Sequence, residues 1–181
     1  MNRMNMRVRS ALIAVSSVLA VGAAQASESA VHEAQALSKA KVSLTDAIHM
    51  AEQRGNGQAI SAEFEFKKGR PGYYEVKVLR NDGKKLTQYD LNANSGKVTE
   101  ASNEEFEKLF TRIKPASIQN APTSLSRAIS TAEERSGGKA TDASVDRDGD
   151  QVKYTVKVAK ADGTTEKVKV NGADGKVASA N

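Results

Sequence analysis

The stretch Asp-Arg-Asp-Gly-Asp at 146–150 carries three carboxylates in five residues. Alternating carboxylates suit a hard cation such as Ca²⁺. An EF-hand loop that began at Asp146 would need glycine at its sixth position and glutamate at its twelfth, where this chain has Gln151 and Lys157. An internal repeat also aligns the stretch with a turn at 67–72. We therefore interpret it as a solvated hairpin turn, with weak cation binding as the alternative.

The chain has few residues that could supply imidazole chemistry and none that could supply thiol chemistry. The two histidines are His32, in a polar segment, and His49, which lies off the apolar face of a predicted helix. The absence of cysteine excludes disulfides, thiolate nucleophiles and thiolate metal sites. No histidine is placed with a recognisable acid and nucleophile, so a hydrolytic triad has no support. The sequence predicts neither an enzyme nor a bound cofactor.

The first 26 residues have the organisation of a secretory signal peptide. Three arginines and no acid precede an apolar run at 11–24, and the small residues Ala24 and Ala26 lie before the expected cleavage point. The run is shorter than the roughly 20 apolar residues of a spanning helix, so a retained membrane anchor is the minor alternative. Lipid attachment is excluded because there is no cysteine. We expect cleavage near Ala26 and a periplasmic or secreted protein.

The charge that remains after this cleavage is close to balance. Three of the 27 basic residues and none of the 22 acidic ones lie in the predicted signal peptide. The lysine clusters at 67–70 and 83–85 have no interleaved aromatic residues. A nucleic acid partner is therefore not expected.

The chain contains an internal repeat, in which 42–57 aligns with 123–138 and 74–84 aligns with 154–164. The separation falls from 81 to 80 to 79 residues, consistent with the loss of one residue at each of two turns. Glu52 and Arg54 recur as Glu133 and Arg135. We interpret this recurrence either as a solvated polar face or as a packing feature of the fold. The other matched positions that we take as the repeat signature are Leu44, Ala47, Ile48, Ala51, Tyr74, Val76, Val78, Asp82, Gly83 and Gly96 in the first copy, and Leu125, Ala128, Ile129, Ala132, Tyr154, Val156, Val158, Asp162, Gly163 and Gly175 in the second.

Each copy reads as one helix followed by an antiparallel sheet. The first four signature residues follow the i, i+3, i+4, i+7 spacing of a helix face. Ser43 and Asp46 form a capping box, Ser124 caps the second helix, and Gly55 or Gly57 ends the first. Alternating residues predict strands, and Asp-Gly pairs predict tight turns. In the first copy the strands fall near 61–66, 74–78, 85–91 and 97–98, and in the second near 143–147, 152–159, 165–171 and 176–178.

The segment between the copies is predicted to be an amphipathic helix. Ser102 and Glu105 resemble a capping box, and the apolar residues at 106–113 share a helical face. Pro115 is expected to stop this helix. The domain organisation is therefore a signal peptide at 1–26, a mobile polar segment at 27–41, a first repeat at 42–98, a connecting helix and linker at 99–122, and a second repeat at 123–178. The second copy has no phenylalanine in about 55 residues, so we expect it to depend on the first for stability.

The order and recurrence of these motifs resemble the PepSY domain, present as two tandem copies. The resemblance implies an α+β fold, with a helix packed on an antiparallel sheet of three or four strands in each copy. PepSY domains occur in propeptides of thermolysin-like metalloproteases, where they are associated with inhibition, and the family offers no catalytic residues. The chain contains no His-Glu-x-x-His motif, so any inhibition acts on a separate protein. The resemblance implies a protein- or peptide-binding module that regulates or inhibits a protease. Its physical route would be the pairing of an exposed sheet edge with an extended segment of the partner. The alternative is a structural or sensory envelope module without a protease partner, which binds a peptide or another envelope protein.

Overall fold

The computed structural model describes residues 28–67, 69–110, 112–146 and 151–181. The predicted signal peptide and four of the five residues at 146–150 lie outside this range. Its helices are α1 (Glu28–Ser38), α2 (Leu44–Gly55), α3 (Phe106–Leu109), α4 (Pro115–Gln119) and α5 (Leu125–Ser136). Its strands are β1 (Gly57–Glu65), β2 (Tyr73–Arg80), β3 (Lys85–Asn92), β4 (Val98–Glu105), β5 (Lys139–Val145), β6 (Lys153–Ala159), β7 (Thr165–Asn171) and β8 (Val177–Ala180).

The long helices α2 and α5 begin where the sequence predicts. The Ser43 hydroxyl accepts a hydrogen bond from the backbone N–H of Asp46, whose carboxylate accepts one from the N–H of Ser43. Ser124 accepts the equivalent bond from Arg127 at the start of α5. These bonds satisfy N–H groups that have no partner within the helix. Gly55 is the last residue of α2, and the left-handed Asn56 follows it.

All eight strands form one antiparallel sheet with the order β4-β3-β2-β1-β5-β6-β7-β8. The α+β architecture with two tandem modules is therefore confirmed. The modules do not form separate sheets, because β1 pairs with β5 over three residue pairs. We call this pairing the joint. It was not predicted from the sequence.

The two faces of the sheet differ in what covers them. On one face, alternate strand residues such as Tyr74 and Val156 are buried, and α2 and α5 pack there through their apolar residues. The opposite face, which we call the open face, carries polar side chains over most of its area. At one end of it, Leu79 and Leu86 are buried. Gln58, the cross-strand partner of Leu79, donates a hydrogen bond to the Gln119 carbonyl at the end of α4, so α4 covers this end.

The predicted connecting helix is not formed as one unit. Residues 98–105 are strand β4 and pair with β3, which places Ser102 in a strand instead of a helix cap. Pairing with β4 gives hydrogen-bond partners to the backbone N–H and C=O groups on the outer edge of β3. The stability gained from this pairing between distant residues overrides the local helical pattern. The apolar residues instead enter the core through two short helices. Pro115 begins α4 and does not stop a helix, since its missing N–H and fixed φ suit the first helical position.

The segment at 27–41, predicted to be polar and mobile, contains helix α1. Ala36 and Leu37 are half-buried and pack against the core. The N–H groups of Lys41 and Val42 both donate to the Ala93 carbonyl at 3.0 Å, which fastens the end of the segment to the first module. Among the described residues, none of the helices is long and apolar enough to cross a membrane.

Candidate partner-binding site

The histidines and Asp146 do not come together as a site. His49 is exposed on α2, with its Nδ1 atom 3.7 Å from the Glu52 carboxylate, and His32 is exposed on α1. The Asp146 carboxylate accepts a hydrogen bond from the Thr155 hydroxyl and lies 3.4 Å from Lys169 Nζ. Within the described ranges, no group of three or more histidine, aspartate or glutamate side chains is arranged to hold a metal ion.

The two signature tyrosines bind the strands to the starts of the helices. The Tyr74 hydroxyl donates to the Val42 carbonyl at 2.6 Å, and the Tyr154 hydroxyl donates to the Thr123 carbonyl. Val42 and Thr123 each precede the serine that caps a helix. Burial raises the pKa of both Tyr74 and Tyr154 to about 12. Both hydroxyls therefore act as fixed donors in the core.

The signature aspartates and glycines lie in hairpin turns. Asp82 accepts a hydrogen bond from the Lys84 N–H, and Asp162 accepts from the side chain and the N–H of Thr164. These bonds lower the pKa of both carboxyls. The glycines at these turns and at the following ones adopt positive φ, as tight turns require, and they are Gly83, Gly96, Gly163 and Gly175.

The repeated glutamates have a structural role. Glu52 accepts a hydrogen bond from the Ala59 N–H, and Glu133 accepts one from the Ala140 N–H, both at 2.9 Å. In each copy the acceptor lies seven residues before a bulge that interrupts strand pairing. The recurrence of this glutamate was the signal in the sequence, and the structure favours the packing interpretation over a solvated face.

A cleft of about 230 Å³ lies beside α1, lined among others by Lys39, Phe66, Arg70 and Ala93. Small-molecule sites usually have volumes of about 300–1,000 Å³ and combine apolar walls with converging polar groups. Lys39 and Arg70 are both exposed. The cleft therefore gives weak support for a ligand site.

The ends of the sheet offer a surface for a protein partner. The joint occupies the inner edges of both modules, so within the described residues β4 and β8 are the outermost strands. Outer strands present unpaired N–H and C=O groups that another chain can bind. Strand β4 has eight residues and is mostly exposed, with Glu100, Glu104 and Glu105 along it. Strand β8 has four residues and no charged side chain.

Comparison with models of protein families supports the two-module organisation. Residues 41–101 and 123–181 both match the family model described as PepSY, peptidase propeptide and YPEB domain. No curated protein matches the chain. Among solved structures, a candidate lipoprotein from Clostridium difficile 630 has a TM-score of 0.49 and 19% identity, over 82% of this chain and 98% of that one. The two matched regions cover more than half of the sequence, and the chain therefore belongs to the PepSY family.

Proposed function

We propose that this chain is an exported, non-enzymatic PepSY protein that binds an extended segment of a partner protein and thereby regulates or inhibits a protease. The export part rests on the signal-peptide pattern of residues 1–26. The protease part rests on the family, whose description includes peptidase propeptides. The binding part rests on the sheet.

The observation that carries the binding proposal is the exposed β4 edge. A free edge can add a partner strand through backbone hydrogen bonds, with side chains setting the specificity. Strand β4 is twice as long as β8, so it offers more of these bonds. Glu104 and Glu105 already lie beside Lys77 and Lys108. Glu100 is therefore the glutamate of this strand that favours a basic residue in the partner segment, because opposite charges on neighbouring strands stabilise their pairing.

Affinity capture tests the function. The exported protein is immobilised, exposed to native exported proteins, and the eluate is assayed for protease activity and identified by mass spectrometry. A retained protease whose activity on a small peptide falls when free protein is added would support the proposal. Retention of only non-protease envelope proteins would overturn the protease part and favour a structural or sensory module.

A matched pair of proline variants tests the edge. Ala101 in β4 and Ala178 in β8 are both exposed, and both lie where the pairing with the inner strand shifts register. Neither has a cross-strand partner in register, so proline costs little inside the sheet. Ala101→Pro should abolish partner capture, whereas Ala178→Pro should leave it unchanged. Equal capture by both variants, with thermal transitions like that of the unmodified protein, would overturn the choice of β4.

A further inference from the structure

Six charged residues from six adjacent strands lie in register across the open face. From β3 to β7 they are Asp90, Glu75, Glu63, Asp142, Lys157 and Lys167. We call them the charged row. Four carboxylates are followed by two lysines, at a spacing of about 4.8 Å from strand to strand. All six side chains are at least partly exposed.

The charged row lowers the stability of the isolated chain. Four of its five neighbouring pairs carry like charges, and like charges directly opposite each other are destabilising. Burial, followed by the charge of Asp142, raises the pKa of Glu63. Elsewhere on this face, Lys77 pairs with Glu104 at 2.9 Å and Lys169 lies 3.4 Å from Asp146. Among the described residues, no member of the charged row has an ion-pair partner within 4.0 Å.

The order of charges makes the open face complementary to a second copy of itself. If a copy is turned by 180° about an axis that runs parallel to the strands above the joint, β7 lies over β3 and β6 lies over β2. Lys167 then faces Asp90 of the other copy, and Lys157 faces Glu75. Rotation about the axis perpendicular to the strands would instead place like charges together. We propose that the open face binds a second copy of this chain in the first of these arrangements.

The surroundings of the charged row leave room for this contact. The neighbouring row has short hydroxyl side chains at its centre, on Ser61, Ser144 and Thr155, and a lysine on either side of them, Lys77 and Lys169. Short side chains let two sheets approach to about 10 Å. Helix α4 covers the open face near Leu79, which lies four residues along β2 from Glu75, or about 13 Å. The β4 edge stays free, so this inference does not rest on the proposed function.

The arrangement assigns opposite effects to carboxylates of the same row. Glu75 and Asp90 each gain a lysine from the second copy. Glu63 and Asp142 meet the carboxylates of the second copy at the centre instead. Removal of the Glu75 charge should therefore weaken the dimer, and removal of the Glu63 charge should strengthen it. A general effect of net charge would change both in the same direction.

Sedimentation equilibrium of the exported protein tests the dimer. We expect a dimer in about 20 mM salt whose dissociation constant rises about tenfold or more in about 300 mM salt, because salt screens exposed charges. Lys157→Glu with Lys167→Glu should give a monomer, as should Glu75→Lys with Asp90→Lys. An equal mixture of these two variants should recover a heterodimer. Lys41→Glu with Lys84→Glu is the control of equal charge change, since both lysines are exposed away from the charged row.

Replacing Glu63 or Glu75 by glutamine tests which arrangement the two copies adopt. These variants disturb the fold little because glutamine keeps the shape of the side chain. Glu63→Gln should lower the dissociation constant, and Glu75→Gln should raise it. A monomer at every salt concentration would overturn the proposal. So would a shift in the same direction for both variants, or a failure of the charge-reversed pair to associate.

Discussion

Ala62 of β1 and Ala143 of β5 lie directly opposite each other in the joint, and they occupy the same position of the two repeats, 81 residues apart. Both side chains are fully buried. Around them, Ser61 pairs with Ser144, and Glu63 pairs with Asp142. The joint therefore has local twofold symmetry, like the self-complementary interface of a symmetric dimer. Tandem duplication has placed both halves of such an interface in one chain.

The glutamate that contacts each bulge should stabilise its module. In Glu133→Ala, the buried Ala140 N–H loses its acceptor, and we expect the free energy of unfolding to fall by about 1–2 kcal/mol. Urea denaturation measures this. Glu134→Ala is the control, because Glu134 is exposed on the same helix. Glu133→Gln retains an acceptor and should recover most of the loss; equal losses in all three variants would contradict this role.

The buried tyrosine hydroxyls should each contribute a similar amount. Tyr74→Phe and Tyr154→Phe leave the carbonyls of Val42 and Thr123 without their donors, and we expect each to lower the free energy of unfolding by about 1–2 kcal/mol. Tyr73→Phe is the control, since Tyr73 is half-buried and its hydroxyl makes a longer bond of 3.4 Å to Glu75. A Tyr74→Phe variant as stable as this control would refute the prediction.

Alkaline pH should destabilise the fold through the same two tyrosines. Their pKa is about 12 in the folded chain and about 10 when unfolded. Between these values the unfolded chain releases the two protons and the folded chain retains them. The stability that the two tyrosines contribute is therefore fully present below pH 10 and is lost as the pH rises toward 12. The double variant Tyr74→Phe/Tyr154→Phe should show a smaller fall over this range. Parallel pH profiles for the two proteins would contradict the assignment.

Gly57 and Gly138 should not tolerate a side chain. A Cβ atom at Gly57 would lie 2.1 Å from the Leu79 carbonyl oxygen, and one at Gly138 would lie 2.3 Å from that of Ala159. Alanine at either position should cost about 3 kcal/mol, because the backbone of the neighbouring strand must move. A Cβ atom at Gly137 would have open space around it. Gly137→Ala should therefore lower the free energy of unfolding only through the positive φ of this residue, by about 1 kcal/mol. Thermal unfolding measures all three, and equal costs would argue against the steric explanation.

The second module should depend on the first. Residues 116–181 alone would leave unpaired the β5 edge that pairs with β1 in the joint, and their core is small. We expect this fragment to lack the cooperative thermal transition of the longer chain. A cooperative transition at the same temperature, observed by calorimetry, would disprove this dependence.

Short-range patterns in the sequence determined the local elements of this protein. The spacing of Leu44, Ala47 and Ile48 and the capping serines located the long helices, because helix periodicity and capping involve residues within four positions. Asp-Gly pairs located the turns. The repeat showed that the set of elements occurs twice, and together these patterns were sufficient to suggest the family.

Tertiary structure decided what depends on contacts between distant residues. The 98–105 segment forms β4 because β3 offers an edge, although its own pattern resembles a helix start. Glu133 was visible as a repeated residue, but its bond to a bulge N–H depends on how α5 packs on β5. The joint and the charged row arise when β1 and β5, about 80 residues apart, come into register. Register sets which charges face each other and on which face they lie, and no local pattern encodes it.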